Sequence, residues 1–314
     1  MPDIPKNRLI SIVGPTAVGK TQVAVQIASW LGTEIISADS RQFYKELTIG
    51  TAKPDKTQLT TIKHHFIDSR SIHDEYNVGA FEKEAVSLLN KLFQHQNDVL
   101  LVGGSGLFCK AIWEGLDTIP EIKEETRKEL NEVLRRQGLS SLQQELEAKD
   151  PSYFARVDLH NPQRIIRALE VIRETGKPFS SFHNSKKKNR AFENLKIGLE
   201  LPREELYFNI DHRMDQMISQ GLFEEAKLFY PYRHLNALQT VGYSEIFGYL
   251  AGKYDKEEAI RLLKRNSRRY AKRQLTWFKR DPEIHWYHPR KLEEMKALIE
   301  SWGNSYAKYL DKPH

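Results

Sequence analysis

The sequence predicts an α/β protein in which a parallel β-sheet is flanked by helices and interrupted by a helical insertion. Short apolar runs, typical of buried parallel strands, alternate with segments of helical periodicity. A glycine-rich turn joins the first apolar run to the first helical segment. From residue 119 to residue 194 this alternation gives way to charged, helical sequence. We therefore expect a discontinuous core, residues 1–118 and 195–314, and a helical insertion at residues 119–194.

The glycine-rich turn predicts a binding site for phosphate groups. It follows the apolar run Leu9–Val13 and precedes a helical stretch that ends at Gly32, a residue typical of helix C-termini. Eight consecutive residues match the pattern GxxxxGK[ST] of phosphate-binding loops: Gly14, Pro15, Thr16, Ala17, Val18, Gly19, Lys20 and Thr21. The N–H groups of such a loop and of the helix N-terminus point at oxygen anions. Lys20 would add a positive charge, and the Thr21 hydroxyl would be a ligand for Mg²⁺. The core is therefore predicted to be P-loop NTPase-like, with a diphosphate or triphosphate ligand whose remaining chemistry the loop does not specify.

Asp39 follows the second predicted strand, Glu34–Ala38. Because ligands of parallel sheets bind beyond the carboxyl ends of the strands, we expect Asp39 beside the phosphate loop. A carboxylate there could bind Mg²⁺ through water or act as a general base; a helix N-cap or turn aspartate is an equal alternative. A later strand, Asp98–Val102, ends in glycines and Ser105 rather than an aspartate, which makes Asp39 the better acidic candidate. These glycines would let a substrate or a neighbouring backbone approach closely.

The other core segments have ordinary helix and strand patterns. We predict a strand around His64–Asp68, a helix over Val78–Phe93, a strand over Leu195–Leu201 and a helix that begins at Pro202. Arg213 lies on this last helix among acidic residues, and by itself it would be interpreted as part of a surface ion pair.

The insertion contains a helix that presents arginines. Asn161 and Pro162 mark the start of this helix, and Arg164 and Arg167 project away from its apolar stripe. Such arginines could contact phosphates or bases of a nucleic acid. The alternative for each arginine is a solvated helix face.

The most basic stretch is residues 261–280, which contain no acidic residue. Its cations are Arg261, Lys264, Arg265, Arg268, Arg269, Lys272, Arg273, Lys279 and Arg280. Aromatic side chains, including Trp277, interleave with them. A solvated face is the alternative, but unpaired like charges repel one another, so the pattern favours a nucleic-acid backbone as partner.

Composition limits the remaining possibilities. The 314 residues carry a formal net charge of +6, and 39% hydrophobic and 29% charged residues suit a protein with a substantial core. Cys109 is the single cysteine, which excludes a disulfide framework and a cysteine-based zinc site. The start, Met1–Lys6, does not resemble a signal peptide, and no apolar run approaches the length of a membrane span. We therefore expect a cytoplasmic protein without membrane association.

Taken together, these residues resemble the bacterial tRNA dimethylallyltransferases, also called isopentenyl-tRNA transferases. The matching segments, in family order, are Gly14–Thr21, Ile36–Gln42, Ile49–Pro54, Val102–Leu107, Asn161–Arg164, Arg167–Glu170, Val241–Tyr243 and Arg269–Trp277. The phosphate loop alone is shared with many enzymes, whereas the second and third segments are far more specific. Phe43 and Phe108 replace the Val and Tyr expected in many relatives, which should alter packing rather than chemistry.

The resemblance implies transfer of a dimethylallyl group from dimethylallyl diphosphate to N6 of the tRNA adenosine next to the anticodon on its 3′ side. Asp39 matches the family's base, and Lys20, Thr21, Mg²⁺ and Arg213 would neutralise the leaving diphosphate. Ser105 stands where the family usually has threonine, and its hydroxyl could position Asp39 or the amine.

The resemblance also implies which residues contact the anticodon stem-loop of the tRNA. These residues are Asp39, Ser40, Arg41, Gln42, Ser105, Arg127, Gln163, Arg164, Ile165, Ile166 and Arg167. The target base must leave its stack to reach the diphosphate, so base flipping is expected. We expect the protein to act as a monomer.

Two other functions remain open on the sequence alone. A kinase that uses ATP to phosphorylate a small metabolite would need the same loop, with Asp39 deprotonating an alcohol. The glycine-rich strand end and the basic stretch argue against this kinase. A non-catalytic RNA-binding protein would need neither Lys20 nor Thr21.

Overall fold

The computed structural model describes residues 7–117, 119–120, 122–183 and 187–310, with the backbone alone for 303–310. Met1–Lys6, interpreted above as unlike a signal peptide, lies outside these residues. The chain forms two compact units. The sheet unit comprises Met1–Glu114 and Asn189–His314, and the helical unit comprises Gly115–Lys188.

The sheet unit is built on one parallel sheet. Its strands are β1 (Arg8–Val13), β2 (Ile35–Ser37), β3 (His64–His65), β4 (Asp98–Gly103), β5 (Glu193–Leu199) and β6 (Ile284–Tyr287). They lie in the order β3-β2-β4-β1-β5-β6, and each neighbouring pair is parallel. The predicted α/β class with a parallel sheet is therefore confirmed.

Helices cover the sheet and form the second unit. In chain order they are α1 (Lys20–Leu31), α2 (Lys56–Thr61), α3 (Val78–Leu92), α4 (Gly106–Trp113), α5 (Glu124–Gln137), α6 (Leu139–Lys149), α7 (Pro151–Phe154), α8 (Pro162–Thr175), α9 (Arg203–Ser219), α10 (Leu222–Phe229), α11 (Tyr243–Leu250), α12 (Lys256–Phe278) and α13 (Leu292–Leu310). Of these, α5 to α8 belong to the helical unit.

The sheet is buried on both faces because its strands are apolar at successive positions. Side chains of Ile10 and Ile12 pack in one core cluster with residues of α1, α9 and α13. Leu9 and Val13, which point to the other face, pack in a second cluster with residues of α3 and α4. This two-sided burial explains why the strands appear in the sequence as continuous apolar runs rather than as alternating ones.

Strand register brings the candidate chemical residues to one edge. Val13 at the end of β1 lies opposite Gly103 of β4 and Gly198 of β5. Ser37 at the end of β2 lies opposite Val102 of β4. The loops that follow these strands therefore start at the same carboxyl edge, where parallel α/β sheets bind ligands.

The helical unit has its own core. Leu130 of α5, Leu142 and Leu146 of α6, and Ile165 and Leu169 of α8 are fully buried in it. Helix α8 begins as predicted: its first residue is Pro162, and the Asn161 side chain accepts a hydrogen bond from the Arg164 N–H.

Some boundaries differ from the expectations. β3 covers only His64–His65 of the predicted strand. β5 begins at Glu193, inside the range 119–194 that we assigned to the insertion. β6 was not predicted; it is a four-residue edge strand in which only Ile284 is buried, so its apolar signal is weak. Among the described residues, no helix is both long enough and apolar enough to cross a membrane.

Candidate active site

The phosphate loop connects β1 to the first turn of α1. Gly14 has φ 148° and Gly19 has φ 99°, backbone angles that favour glycine. A Cβ on Gly14 would lie 2.6 Å from the Leu199 carbonyl oxygen at the end of β5, so a side chain there would collide with the sheet. Helix α1 starts at Lys20, which leaves the N–H groups of its first turn free to bind an anion.

Lys20 folds back over the loop. Its Nζ donates to the Gly14 carbonyl at 3.0 Å and to the Pro15 carbonyl at 2.7 Å. Desolvation lowers the pKa of Lys20 from its usual 10.5 to about 8; Asp39 opposes this shift and Arg213 adds to it. The ammonium is thus buried beside a second cation, and the Asp39 carboxylate offsets only part of the resulting fall in its pKa.

Arg213 is this second cation. It lies on α9, and its guanidinium donates a hydrogen bond to the hydroxyl of Thr16 in the phosphate loop. Burial lowers the pKa of Arg213, and Asp39 opposes that effect. Taken alone, Arg213 would have been interpreted as a surface ion pair; the fold instead turns its side chain onto the loop, as the family resemblance implied.

Asp39 is the acidic group that faces both cations. It follows β2, and its Oδ1 accepts a hydrogen bond of 2.9 Å from the Arg41 N–H. The Ser105 hydroxyl, which follows β4, accepts a bond of 3.0 Å from the Ser40 N–H. The turn that carries Asp39 is therefore held at two consecutive residues, and Ser105 acts on the backbone next to the carboxylate.

Gln42 connects the two most specific sequence segments. Its side-chain nitrogen donates to the Ala52 carbonyl at 3.2 Å, and its oxygen accepts from the Ser37 hydroxyl at 3.2 Å. Arg41 donates to the Asn236 carbonyl at 2.9 Å. These contacts order the segment predicted to contact tRNA.

A cavity opens beside these groups. Its polar side is formed by Lys20, Thr21, Ser37, Asp39, Gln42 and His64. Its apolar lining includes Ala24, Ile35, Pro54, Ile67 and Val102. The cavity therefore suits a ligand that has a charged end and a small hydrocarbon group.

Thr21 and Asp39 supply the oxygen ligands that the protein could offer to Mg²⁺. Both line the same cavity. The described residues contain no group of three or more His, Cys, Asp or Glu side chains that could hold a metal. Mg²⁺ commonly takes one or two protein oxygens and completes its shell with water and substrate phosphates. The donors present therefore fit Mg²⁺ bound together with a diphosphate, with Thr21 as its predicted protein ligand.

The glycines at the end of β4 and just after it lie close against other protein atoms. A Cβ on Gly103 would lie 2.3 Å from the Ala38 carbonyl oxygen, and one on Gly106 would lie 2.1 Å from the Trp277 ring. Of the two expectations for these glycines, close approach of protein atoms is confirmed, and close approach of substrate stays a prediction; Gly103 also lines the cavity.

In the helical unit, a buried carboxylate organises part of the predicted tRNA surface. Glu170 is 1% exposed, and its two oxygens lie 3.2 Å from Arg127 and 3.1 Å from Arg167. Arg127 also donates to the Gln163 side chain at 3.0 Å. Arg164 is exposed.

The side chains of Ile165 and Ile166 cannot contact tRNA in this fold. Both are fully buried in the core of the helical unit. They lie on the apolar stripe of α8, and the neighbouring polar residues lie on its other face. This part of the predicted tRNA-contacting set is therefore wrong for side-chain contacts.

The basic stretch lies on α12, but some of its charges are paired. Lys264 lies 2.6 Å from Asp215, and Arg268 lies 2.6 Å from Asp211; both acids are on α9. Arg261 and Lys279 are paired as well, with Glu258 at the start of α12 and Glu200 just after β5. For these four cations the expectation of unpaired charge is wrong, because acids outside the stretch lie beside them. The exposed cations of the helix include Arg269, Lys272 and Arg273.

Sequence reasoning missed two residues that order the site. Glu225 accepts hydrogen bonds from the N–H groups of Thr48, Ile49 and Gly50 and from the Tyr243 hydroxyl. Gln274 of α12 bonds to the phosphate loop and to the end of β4. Gln274 lay within a segment that resembles the family, but an uncharged side chain in a basic helix carries no local signal of its role.

Comparisons with known proteins find a family and relatives that match most of the chain. The sequence model described as IPP transferase matches residues 42–281. The chain is 54% identical over 281 residues to the tRNA dimethylallyltransferase of Christiangramia forsetii, covering 90% of this chain and 93% of the relative. It is 51% identical over 293 residues to the tRNA dimethylallyltransferase of Cytophaga hutchinsonii, covering 93% and 96%.

A solved structure is also similar. The full-length tRNA isopentenylpyrophosphate transferase from Bacillus halodurans matches with a TM-score of 0.73 and 36% identity, covering 98% of this chain and 100% of that one. The resemblance found in the sequence is thereby confirmed. The chain belongs to the IPP transferase family.

Proposed function

We propose that this protein is a tRNA dimethylallyltransferase. It transfers the dimethylallyl group of dimethylallyl diphosphate to N6 of the adenosine on the 3′ side of the tRNA anticodon, and it releases diphosphate. Family membership and the names of the relatives support the activity. The observation that carries the proposal structurally is that Asp39 faces two desolvated cations, Lys20 and Arg213, at a phosphate loop.

The two cations support a diphosphate as the leaving group. Lowered pKa values mean that Lys20 and Arg213 are charged at a cost in the free protein, and a bound polyanion would offset that cost. The same charges would stabilise the negative charge that grows on the diphosphate as the bond to carbon breaks. When bound, Mg²⁺ would add positive charge next to the same oxygens, with Thr21 as a ligand.

The reaction needs a base because the amine is a weak nucleophile. The N6 lone pair of adenosine is delocalised into the ring, and it forms the new bond to C1 of the dimethylallyl group. The C1–O bond breaks, and its electron pair leaves with the diphosphate. The N6 proton must then be removed, and the Asp39 carboxylate, held by the Arg41 N–H, is the candidate acceptor.

The tRNA is the substrate with which the exposed cations fit best. Arg164 in the helical unit and Arg269, Lys272 and Arg273 on α12 would contact its phosphates. We propose that the protein acts as a monomer. A tRNA substrate would require the enzyme to act in the cytoplasm. The kinase alternative is not favoured, because the curated relatives reported above carry the transferase name.

A transfer assay tests the proposal. The purified protein is incubated with Mg²⁺, an anticodon stem-loop RNA and dimethylallyl diphosphate labelled in the hydrocarbon, beside a matched sample with ATP. Label should enter the RNA adenosine, and ATP should be unchanged. Absence of label in the RNA, together with phosphate released from ATP only when a metabolite is added to the ATP sample, would replace the transferase by a kinase.

A further inference from the structure

Gln274 is a buried amide on a helix whose neighbouring polar residues face solvent. Gln274 is 6% exposed, whereas Lys272, Arg273 and Thr276 on the same part of α12 are exposed. Buried amides need hydrogen-bond partners, because an unpaired one loses its hydration without replacement. The partners of Gln274 are main-chain groups of two distant loops.

Each half of the amide has one partner. The Gln274 Oε1 accepts a hydrogen bond of 2.8 Å from the N–H of Thr16, in the phosphate loop. The Gln274 Nε2 donates one of 2.9 Å to the carbonyl of Gly104, just after β4. One side chain of α12 therefore joins the loop after β1 to the loop after β4.

These partners define the residue type. Thr16 presents a donor and Gly104 an acceptor, so the side chain must accept at one atom and donate at the next. Glutamate would accept from Thr16 but would set a carboxylate oxygen against the Gly104 carbonyl. An apolar residue of similar length would leave both main-chain groups unpaired.

Gly104 leaves room for the Gln274 amide because it has no side chain. A Cβ on Gly104 would lie 2.4 Å from the Gln274 Nε2. A side chain at position 104 would therefore displace the amide. The approach of α12 thus explains the absence of a side chain at Gly104; the Gly14 carbonyl oxygen, 3.3 Å from the same Cβ position, adds to the crowding.

Thr16 links Gln274 to the charge that receives the diphosphate. Its N–H is held by Gln274, and its hydroxyl accepts the hydrogen bond from Arg213. If the Thr16 N–H lost its hydrogen bond to Gln274, the Thr16 hydroxyl would no longer be held in place. The Arg213 guanidinium would then lose its fixed partner in the loop.

We propose that Gln274 is a positioning residue for diphosphate binding: it holds Thr16, and through Thr16 it holds Arg213, without touching the substrate. The proposal rests on the proposed function, since it assigns to Arg213 the role of binding the diphosphate. It adds a residue of the basic helix to the machinery of the phosphate loop.

Gln274→Met tests this role, because it keeps the length of the side chain and removes the amide. The full-length variant is titrated with inorganic diphosphate and Mg²⁺ by calorimetry. We expect its Kd to rise about tenfold, as for the loss of one buried hydrogen-bonding partner. In the transfer assay the KM for dimethylallyl diphosphate should rise as well, and the Kd for the stem-loop RNA should stay within about twofold. Unchanged diphosphate affinity would overturn the proposal.

Two further variants separate positioning from general damage. Thr276→Ala changes an exposed residue of the same helix, and it should leave the diphosphate Kd unchanged. Gly104→Ala should act like Gln274→Met, because its Cβ would displace the amide. It therefore also tests the role if Gln274→Met does not fold, as judged by thermal unfolding. Equal losses of RNA and diphosphate affinity in a folded Gln274→Met variant would show a merely structural role.

A double-mutant cycle tests the route through Thr16. Thr16→Ala removes the hydroxyl that anchors Arg213, so its effect on diphosphate affinity should not add to that of Gln274→Met. If the effects of the two substitutions on diphosphate affinity were fully additive, Gln274 would not act through Thr16. If the wild-type protein binds inorganic diphosphate but transfers no label to RNA, the proposed function fails while the Gln274 effect on diphosphate affinity is still measured.

Discussion

The guanidinium of Arg213 donates a hydrogen bond to the hydroxyl of Thr16, 197 positions earlier in the chain. Arg213 lies on α9 and therefore adds a second cation to the phosphate loop, whose own sequence supplies only Lys20. In the proposed function, the contact would fix where this positive charge meets the diphosphate.

We expect Arg213→Gln to lower kcat about 100- to 1,000-fold, as for the removal of other preorganised groups that stabilise transition-state charge. Arg213→Lys should recover only part of this loss, because an ammonium cannot reproduce the planar fork of the guanidinium. The measurement is steady-state transfer with both substrates varied. Full activity of Arg213→Gln would remove Arg213 from the site.

Diphosphate affinity should depend on pH through Lys20. Its pKa of about 8 in the free protein means that the ammonium is lost as the pH rises through 8, and a bound polyanion should raise that pKa. Affinity should therefore fall above pH 8, and binding at pH 8.5 should take up protons. The ligand for this test is dimethylallyl diphosphate, because the terminal phosphate of an ester, with a second pKa of about 6, is already ionised at pH 8.5.

Calorimetry at pH 8.5 in two buffers with different ionisation enthalpies measures this proton uptake. Lys20→Arg provides the control. Because an arginine side chain is already protonated at pH 8.5, this variant should bind diphosphate without taking up protons. Equal uptake in both proteins would assign the proton to another group.

Asp39→Asn should keep RNA binding and lose transfer by about 100- to 10,000-fold, the usual contribution of a general base. The amide can still accept from the Arg41 N–H, so the turn should stay intact. Asp74→Asn, at an exposed position, is the matched control. Transfer at the normal rate by Asp39→Asn would contradict the assignment of the base.

Arg164→Ala should weaken RNA binding and reduce the slope of log Kd against log salt by about one, as for the loss of one phosphate contact. Arg136→Ala, which removes an exposed arginine paired with Glu132 in the same unit, should leave both quantities unchanged. Fluorescence anisotropy at several salt concentrations provides the measurement. A weaker Kd with an unchanged slope would instead indicate contact with a base.

Tyr243→Phe should destabilise the fold without changing the chemistry. The buried hydroxyl donates to Glu225 at 2.6 Å, and its loss should cost about 1–2 kcal/mol. Urea denaturation should show a lower midpoint with the same m-value. Tyr232→Phe, at an exposed tyrosine, should leave the midpoint where it is.

Local patterns predicted most of the elements of the sheet unit. The apolar run before Gly14 became β1, and the periodic stretch after Lys20 became α1. The short edge strand β6 escaped prediction, because only Ile284 of its residues is buried. Ile165 and Ile166 matched a family segment, but their place on the apolar stripe of α8 puts them in the core.

By itself, the sequence determined the phosphate loop, the Asp39 turn and the parallel α/β class. Glycine spacing, apolar runs and helix start signals act between residues that are close along the chain. Only the tertiary structure decided that Arg213 and Gln274 meet at Thr16, because these contacts join residues 197 and 258 positions apart. The charge of Arg213 and the amide of Gln274 acquire their roles only when α9 and α12 pack against the sheet and exclude water from both groups.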